Sequence, residues 1–528
     1  MMNPVQLLKT GLVLMAFSFA LYGRALNHEF VWDDEAHLSG HKNLMSGNLK
    51  AIWTQKTFFY IPVSYTLWYV IKKISEDETG KLKPFAFRFS NILLHSFNAF
   101  LVFLILAALI KDNQAALAGS LLFLIHPMQV ESVVWISEFR GLLASGFAFS
   151  SLLFFWRELE KHDKASQIRN STGFTIASLL FLLGVLSKPS VVILPFCIAA
   201  LVMFFYPAKL KTGLYALAIW LIIVIPVALF TGAKPAPELK YVITKPWLNP
   251  LIAAYSYGFY FLKVVFPLNL SPCYGITPAE LMQTARPFIA LAFIIAFVFF
   301  IYRYRPAQPA IFAGIVFMAI ALLPVSGLRS FDYQRFSVVA DRYVYFGMSG
   351  MALAVARLWE MRKQLKWIQA VIAVFMIFFL ILNIRQVPVW KNDFSLWQAA
   401  FKYNPRQWAA NYNLGVFYTK HNRPAMAVSY YTTAIAANPH DKATLTNRAN
   451  ALARLKKFKE SLDDYRAALE VDPNDGSIYY NRALTYYYMG ELEKCLADLE
   501  DSKKRNFPVD ESIIRAIRSE WRNKKQND

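Results

Sequence analysis

The chain has 528 residues, 56% of them hydrophobic and 16% aromatic, and a mean hydropathy of +0.32. That is too apolar for a water-soluble protein of this length and implies several membrane spans. The 56 Lys and Arg outnumber the 35 Asp and Glu to give a net charge of +21, but much of the excess lies in short loops between apolar runs, the positive-inside pattern, which argues against a nucleic-acid partner.

The run Leu7–Tyr22, with Lys9 near its start, reads as an uncleaved first span rather than a signal peptide, because many spans follow. Next comes Phe30-Val31-Trp32-Asp33-Asp34-Glu35. Three carboxylates this close to a lipid boundary need a wet loop or a function. Phe58–Ile74 is aromatic and contains Pro62, which suits an interfacial helix. Spans are expected at 89–110, 114–126, 140–156, 172–187, 190–206, 213–231, 287–302, 310–325, 341–357 and 367–385, eleven with the first. Leu251–Phe266 is expected to be re-entrant or interfacial. Basic connectors (Arg157, Lys161, Lys164 and Arg169; Lys209 and Lys211; Arg303 and Arg305; Arg357 to Lys366) are assigned to the cytoplasm. The acidic loop and the C-terminus then fall on the opposite, noncytoplasmic side.

Beyond Pro388 the composition changes and a period of 34 residues sets in. Asn413-Leu414-Gly415, Asn447-Arg448-Ala449 and Asn481-Arg482-Ala483 are in register. Small residues recur at Ala427, Ser461 and Cys495, and large ones at Tyr431, Tyr465 and Leu499. This is the tetratricopeptide pattern of paired helices. The expected organisation is a membrane body over 1–386 with its first outer loop at 23–88, a linker over 387–403, three repeats over 404–508, and a capping helix with tail over 509–528. Cys197, Cys273 and Cys495 are too scattered for a disulfide framework, and no spacing calls for a metal.

Candidate chemistry gathers on the outer side. Asp33 or Asp34 is suited to take the proton from an acceptor hydroxyl as it attacks a sugar carbon; the alternative is a solvated loop end. His126, Glu131 and Arg140 would face them across a cavity, with Glu131 orienting the acceptor and Arg140 holding a phosphate. Lys188 offers a point charge to a lipid phosphate. Arg335 and Arg342, interleaved with Asp341 and Tyr345, run against the positive-inside trend and suit a phosphate grip; ion pairing with nearby aspartates is the alternative. Asn413, Asn447 and Asn481 could bind the main chain of an extended acceptor peptide, or be repeat consensus alone.

With these stretches in order, and with Asn91-Ile92-Leu93-Leu94-His95, Ser187-Lys188 and Ala340-Asp341-Arg342-Tyr343-Val344-Tyr345 among them, the chain resembles the tetratricopeptide-repeat transmembrane O-mannosyltransferases and their bacterial relatives in the GT-C superfamily. The resemblance implies an all-α fold, a polytopic GT-C-like bundle followed by a tetratricopeptide solenoid. It implies an inverting transfer from a polyprenyl-phosphate-linked sugar, as co-substrate, to a protein Ser or Thr hydroxyl. Asp33 or Asp34 would be the catalytic carboxylate, with Glu131 across the cavity, and no metal or other cofactor is implied. The chain departs from the family pattern at Tyr60-Ile61-Pro62 and at Lys188-Pro189. The location implied is a bacterial inner membrane. The competing readings are the same chemistry on a glycan or lipid acceptor, and a non-catalytic repeat scaffold for envelope assembly.

Overall fold

The computed structural model describes residues 3–55, 60–231, 246–304, 308–365 and 367–527. Phe58, Arg305 and Lys366 lie outside the described residues. Within these residues the regular structure is helical, with one isolated antiparallel bridge between Glu76 and Leu82. The chain forms two compact units, Met1–Pro272 with Ile276–Leu396, and Cys273–Gly275 with Trp397–Asp528.

The first unit is built from α1 (Pro4–Tyr22), α2 (Pro62–Ser75), α3 (Pro84–Ile110), α4 (Asn113–Ile125), α5 (Phe139–Lys161), α6 (Thr172–Ser187), α7 (Leu194–Phe205), α8 (Leu210–Thr231), α9 (Asn249–Val265), α10 (Arg286–Tyr304), α11 (Pro309–Leu322), α12 (Met348–Glu360) and α13 (Trp367–Gln386), with short helical turns between them. Side-chain caps start several of these: Asn3 accepts from the Gln6 N–H, Asp112 from Gln114 and Ala115, and Ser171 from Phe174. Proline opens α2, α3 and α11, where its missing N–H costs nothing.

Among the described residues five segments are long and apolar enough to cross a bilayer: Pro4–Asn27, Pro84–Ile110, Ile136–Lys161, Pro207–Val227 and Trp367–Trp390. Five more are apolar but shorter: Asn113–Ile125, Thr172–Ser187, Pro189–Phe205, Arg286–Phe300 and Pro309–Val325. The chain is a multi-pass membrane protein. The span expected at 341–357 takes another form. Its first residues make a 3-10 turn, Asp341–Val344, and α12 has only 13 residues, about 20 Å of helix. The reason is Arg342, which is buried in an ion pair rather than carried into lipid.

Glycine sets the packing of α12. A Cβ on Gly314 of α11 would lie 2.2 Å from the Gly350 carbonyl, and one on Gly119 of α4 would lie 2.4 Å from that of Ala352. Helix α12 therefore meets α4 on one side and α11 on another, backbone against backbone.

The second unit holds three helix pairs. They are α15 (Trp408–Lys420) with α16 (Pro424–Ala437), α17 (Lys442–Arg454) with α18 (Phe458–Val471), and α19 (Gly476–Tyr488) with α20 (Leu492–Lys504). The recurring small and large residues all point into the core: Ala427, Tyr431, Ser461, Tyr465, Cys495 and Leu499 are buried. A Cβ on Gly415 would touch the Tyr431 ring at 2.5 Å, which is why a small residue stands opposite the large one. Helix α21 (Glu511–Asn527) covers the last pair with Ile514 and Ile517, against Leu496 and Leu499. The stretch 387–403, expected as a linker, holds the boundary between the two units and is helical. Its turn Val387–Trp390 ends in a buried Trp390 in the first unit, and α14 (Asp393–Tyr403) runs across the division at Leu396.

Candidate active site

The site is assembled around one polar stripe on α3. Arg88, Asn91, His95 and Asn98 recur three or four residues apart and so share a face. All four are buried, and each spends its hydrogen bonds on neighbouring segments. Arg88 donates to the carbonyls of His28, Glu29 and Val134. Asn91 donates to the Trp135 carbonyl at 2.9 Å. Asn98 donates to Leu142 O and to Tyr345 Oη, and His95 Nδ1 also meets that hydroxyl, at 2.8 Å. This stripe ties the acidic loop, the segment around Trp135 and the turn near Arg342 to one rigid helix.

In the acidic loop the two aspartates differ. Asp34 is fully buried and its oxygens are occupied: Oδ1 accepts from the Ser137 N–H and hydroxyl at 2.9 and 2.7 Å, and Oδ2 from the Val31 N–H at 3.1 Å. Burial raises its pKa to about 7, against the pull of Ser137, Arg88 and Val31. The Asp33 side chain is partly exposed; its Oδ2 lies 3.4 Å from His37 Nε2, and its Oδ1 is buried and has no hydrogen-bond partner among the described residues. Burial pushes the Asp33 carboxyl upward, but the hydrogen bond from His37 and the charge of Arg140 bring it below the ordinary aspartate value. Both Asp34 oxygens are thus engaged, whereas one Asp33 oxygen is not. Trp32 just before it adopts φ +59, a left-handed backbone that a bulky residue rarely takes. Its N–H is held by Asp393 Oδ1 at 2.8 Å, and its ring stacks on Trp135 at 4.9 Å.

Five charges meet beside this loop. Glu131 accepts from the Arg342 guanidinium and backbone. Glu138 accepts from Lys188 at 2.7 Å, and its other oxygen lies 3.6 Å from Arg140 Nε and 3.9 Å from Arg342 Nε. Three cations therefore share two anions, leaving a surplus of one positive charge. Burial pushes the Lys188 ammonium below its ordinary value while Glu138 opposes it. It likewise pushes the Glu131 carboxyl upward against the pull of Arg342. Rings of Tyr333, Tyr343, Trp135 and Trp32 stand 4.1, 4.9, 5.2 and 5.8 Å from the Arg342 guanidinium carbon, contacts that favour a desolvated cation. A small pocket, lined among others by Ser145, Lys188, Arg342, Tyr343 and Tyr345, opens beside the two cations.

The residues expected from sequence separate into two sets. Glu131, Arg140, Lys188 and Arg342 come together. Asp33 does not line the cavity; it joins the cluster through the charge of Arg140 and through Trp32, whose ring faces Arg342. The others are committed elsewhere. His126 has Nε2 on the Val264 carbonyl and Nδ1 at the Met128 N–H, with its ring against Phe379. Tyr345 lines the cavity with its ring while its hydroxyl serves His95 and Asn98. Arg335 pairs with Asp332 at 3.7 Å on the surface, the alternative foreseen for it. Asp341 is buried next to Arg342, its charge acting on Tyr260 and Lys263. The repeat asparagines do not form a uniform ladder: Asn413 donates to Ala409 O of its own helix, and Asn447 reaches Tyr412. Missing from the expected set are Glu138, the anion shared by all three cations, and His37. The sequence signal for Glu138 was its place two residues before Arg140; that for His37 was its i+4 spacing from Asp33 on a short helix. Among the described residues no group of three His, Cys, Asp or Glu side chains is arranged to hold a metal ion.

Models described as "Tetratricopeptide repeat" and "TPR repeat" match residues 395–442 and 449–490. "Protein O-mannosyl-transferase TMTC3" of Homo sapiens is 21% identical over 88% of this chain and 55% of its own length. The Mus musculus protein of the same name is 20% identical over 86% of this chain and 54% of its own. "Protein O-mannosyl-transferase Tmtc1" of Drosophila melanogaster is 27% identical over 22% of this chain and 15% of its own. The chain spans about half the length of the two TMTC3 proteins. Their match is too long to fall in the repeats alone, so the similarity to these O-mannosyl-transferases runs through the membrane unit as well as the repeat unit.

Proposed function

We propose that the chain is an inverting membrane glycosyltransferase that moves a sugar from a polyprenyl-phosphate donor to a Ser or Thr hydroxyl of a protein, at the noncytoplasmic face. The observation that carries the reading is the meeting of Asp33, ionised and with one unengaged oxygen, with a cation cluster of net positive charge through Trp32 and Arg140. Asp33 takes the acceptor proton while the hydroxyl oxygen attacks the anomeric carbon from the face opposite the phosphate. The phosphate leaves as an anion and needs no proton. Arg342 and Lys188 receive it, and their surplus charge stabilises the transition state more than the ground state. These side chains do the charge work in this reading, so the donor lipid is a co-substrate and no metal has a role. Mannose is the sugar of first choice, because the names of the relatives specify it. The repeats hold the acceptor segment, with Asn413, Asn447 and Asn481 on the first helix of each pair.

The test is transfer by the purified full-length protein from polyprenyl-phosphate mannose to a Ser/Thr peptide, read by mass spectrometry. Loss of transfer in Asp33→Asn with unchanged thermal unfolding supports the reading; equal transfer in that variant refutes it. A chain shortened before residue 404 should still modify a short peptide and fail on a folded protein. A product on a glycan or lipid but never on a peptide would replace the acceptor assignment. A reporter fused after Asp528 should be active on the noncytoplasmic side.

A further inference from the structure

The segment Asp34–His37 is a single helical turn, and it presents His37 beside Asp33. The imidazole is nearly buried, at 5% side-chain exposure, and lies between two partners. Nε2 faces Asp33 Oδ2 at 3.4 Å, and Nδ1 faces the Tyr65 hydroxyl at 3.3 Å. Tyr65 comes from α2 and is held by His41, whose ring stacks on it at 4.1 Å, and by Trp68 at 5.5 Å. Among the described residues, the groups around the imidazole include Asp33 and His41 of its own segment and Tyr65 and Trp68 of α2. Arg140 of α5 acts on both Asp33 and Tyr65.

Chemistry decides which ring nitrogen carries the proton. Burial holds the Tyr65 phenol up at about 12, so it is a hydroxyl at any working pH and has a proton to donate. An imidazole accepting at Nδ1 carries its own proton on Nε2, which is the nitrogen facing the carboxylate. The chain of donors then runs from Tyr65 Oη–H to His37 Nδ1, and from His37 Nε2–H to Asp33 Oδ2. One carboxylate oxygen is fixed by this chain and the other, Oδ1, is the one without a partner among the described residues.

We infer that His37 is a positioning residue for the proposed transfer, with Tyr65 fixing its tautomer so that the Asp33 carboxylate is held in one orientation through Oδ2 when it takes the acceptor proton. This rests on the glycosyltransferase reading of Asp33. The proton balance is simple: it passes from the acceptor hydroxyl to the Asp33 carboxylate, the new C–O bond forms, the bond to phosphate oxygen breaks, and His37 keeps its own proton throughout. A role limited to folding would be filled by any side chain of the right size, whereas this one needs a donor at the Nε2 position.

The experiment compares His37→Gln, His37→Leu and Tyr65→Phe in the full-length protein, with polyprenyl-phosphate mannose and a Ser/Thr peptide as probes. Gln places an N–H near the Nε2 position; Leu fills the space without one. His37→Leu should lower kcat by about 10²-fold with KM for the donor unchanged. It should also move the acid limb of the kcat profile to higher pH, because Asp33 loses the hydrogen bond that holds it ionised. His37→Gln should restore most of kcat, and Tyr65→Phe should fall between. Should His37→Leu fail to fold by thermal unfolding, Tyr65→Phe and His37→Gln carry the comparison, and wild-type kcat and acid limb in Tyr65→Phe overturn the inference. Equal losses in Gln and Leu variants, or an unmoved acid limb, overturn it also. If the wild-type protein transfers nothing, the parent reading fails as well; transfer lost in Asp33→Asn but untouched in His37→Leu removes the His37 role alone.

Discussion

Glu131 accepts two hydrogen bonds from Arg342, one from its backbone N–H at 3.1 Å and one from its guanidinium at 2.5 Å, across 211 residues of sequence. Both side chains are almost wholly buried, at 3% and 6% exposure. A buried charge pair of this kind is costly to break from one side, because the remaining partner is left uncompensated.

Glu131→Gln is therefore expected to lower stability by about 3–5 kcal/mol, read as a fall in thermal unfolding temperature in detergent. The double variant Glu131→Gln with Arg342→Met should recover much of that loss while remaining inactive. A double variant as unstable as the single one would show that the clasp is not what holds these two segments.

Glu138→Gln should act differently. It leaves Lys188, Arg140 and Arg342 with Glu131 alone, so their mutual repulsion rises. Binding of a short polyprenyl phosphate should tighten while kcat falls, since the anion that spaces the cations is gone. Binding can be followed by intrinsic tryptophan fluorescence, with Trp32 and Trp135 beside the cluster. Weaker binding in this variant would contradict the proposed phosphate role.

Asp34 gives a pH signature. Its folded pKa, raised to about 7 by burial, exceeds the unfolded value of about 3.9. Between these limits the folded protein holds a proton that the unfolded chain has released, so its stability is greatest below about pH 4 and is lost as pH rises towards 7. Asp34→Asn should flatten that slope. It should also cost about 1–3 kcal/mol, because its amide NH₂ would face either the Val31 N–H or the Ser137 donors. Thermal unfolding from pH 4 to 8 measures both effects. Asp33 has the opposite sign: its folded pKa is depressed, so its contribution is present at neutral pH and lost only in acid.

The repeat unit offers a test by double-mutant cycle. Arg482 grips Asp498 at 2.7 and 2.8 Å, and Arg448 grips Asp464 at 2.7 and 2.6 Å, one repeat earlier. The first repeat has Leu414 and Tyr430 at the equivalent positions and lacks the clamp. Coupling between Arg482 and Asp498 of about 1–3 kcal/mol is expected. Faster amide hydrogen exchange should appear in α19 and α20 of the variants and leave α15 and α16 unchanged.

Periodicity made the repeats legible in the sequence, down to Ala427, Tyr431 and their successors, because a 34-residue register repeats the same physical demand. The membrane body was legible as apolar runs, except at 341–357, where Arg342 sits in the window yet is neutralised by Glu131 from a distant segment. Hydropathy averages over neighbours in sequence and is blind to such partners. The same limit separates the site residues. Glu131, Arg140, Lys188 and Arg342 stood out by charge and side of the membrane, whereas His126 and Arg335 carried the same marks and proved engaged elsewhere. Nothing local distinguishes Asp33 from Asp34; the difference arises from Ser137, one hundred residues away.

The glycine contacts of α12 bear on how a reaction cycle can proceed. Because α4, α12 and α11 touch through their main chains at Gly119, Gly314 and Gly350, they have no side-chain layer to slide on. The turn that carries Arg342 is mounted at the head of this blade. Under the proposed transfer, departure of a spent lipid or arrival of a loaded one is expected to displace other helices, with the arginine as the fixed point against which they move.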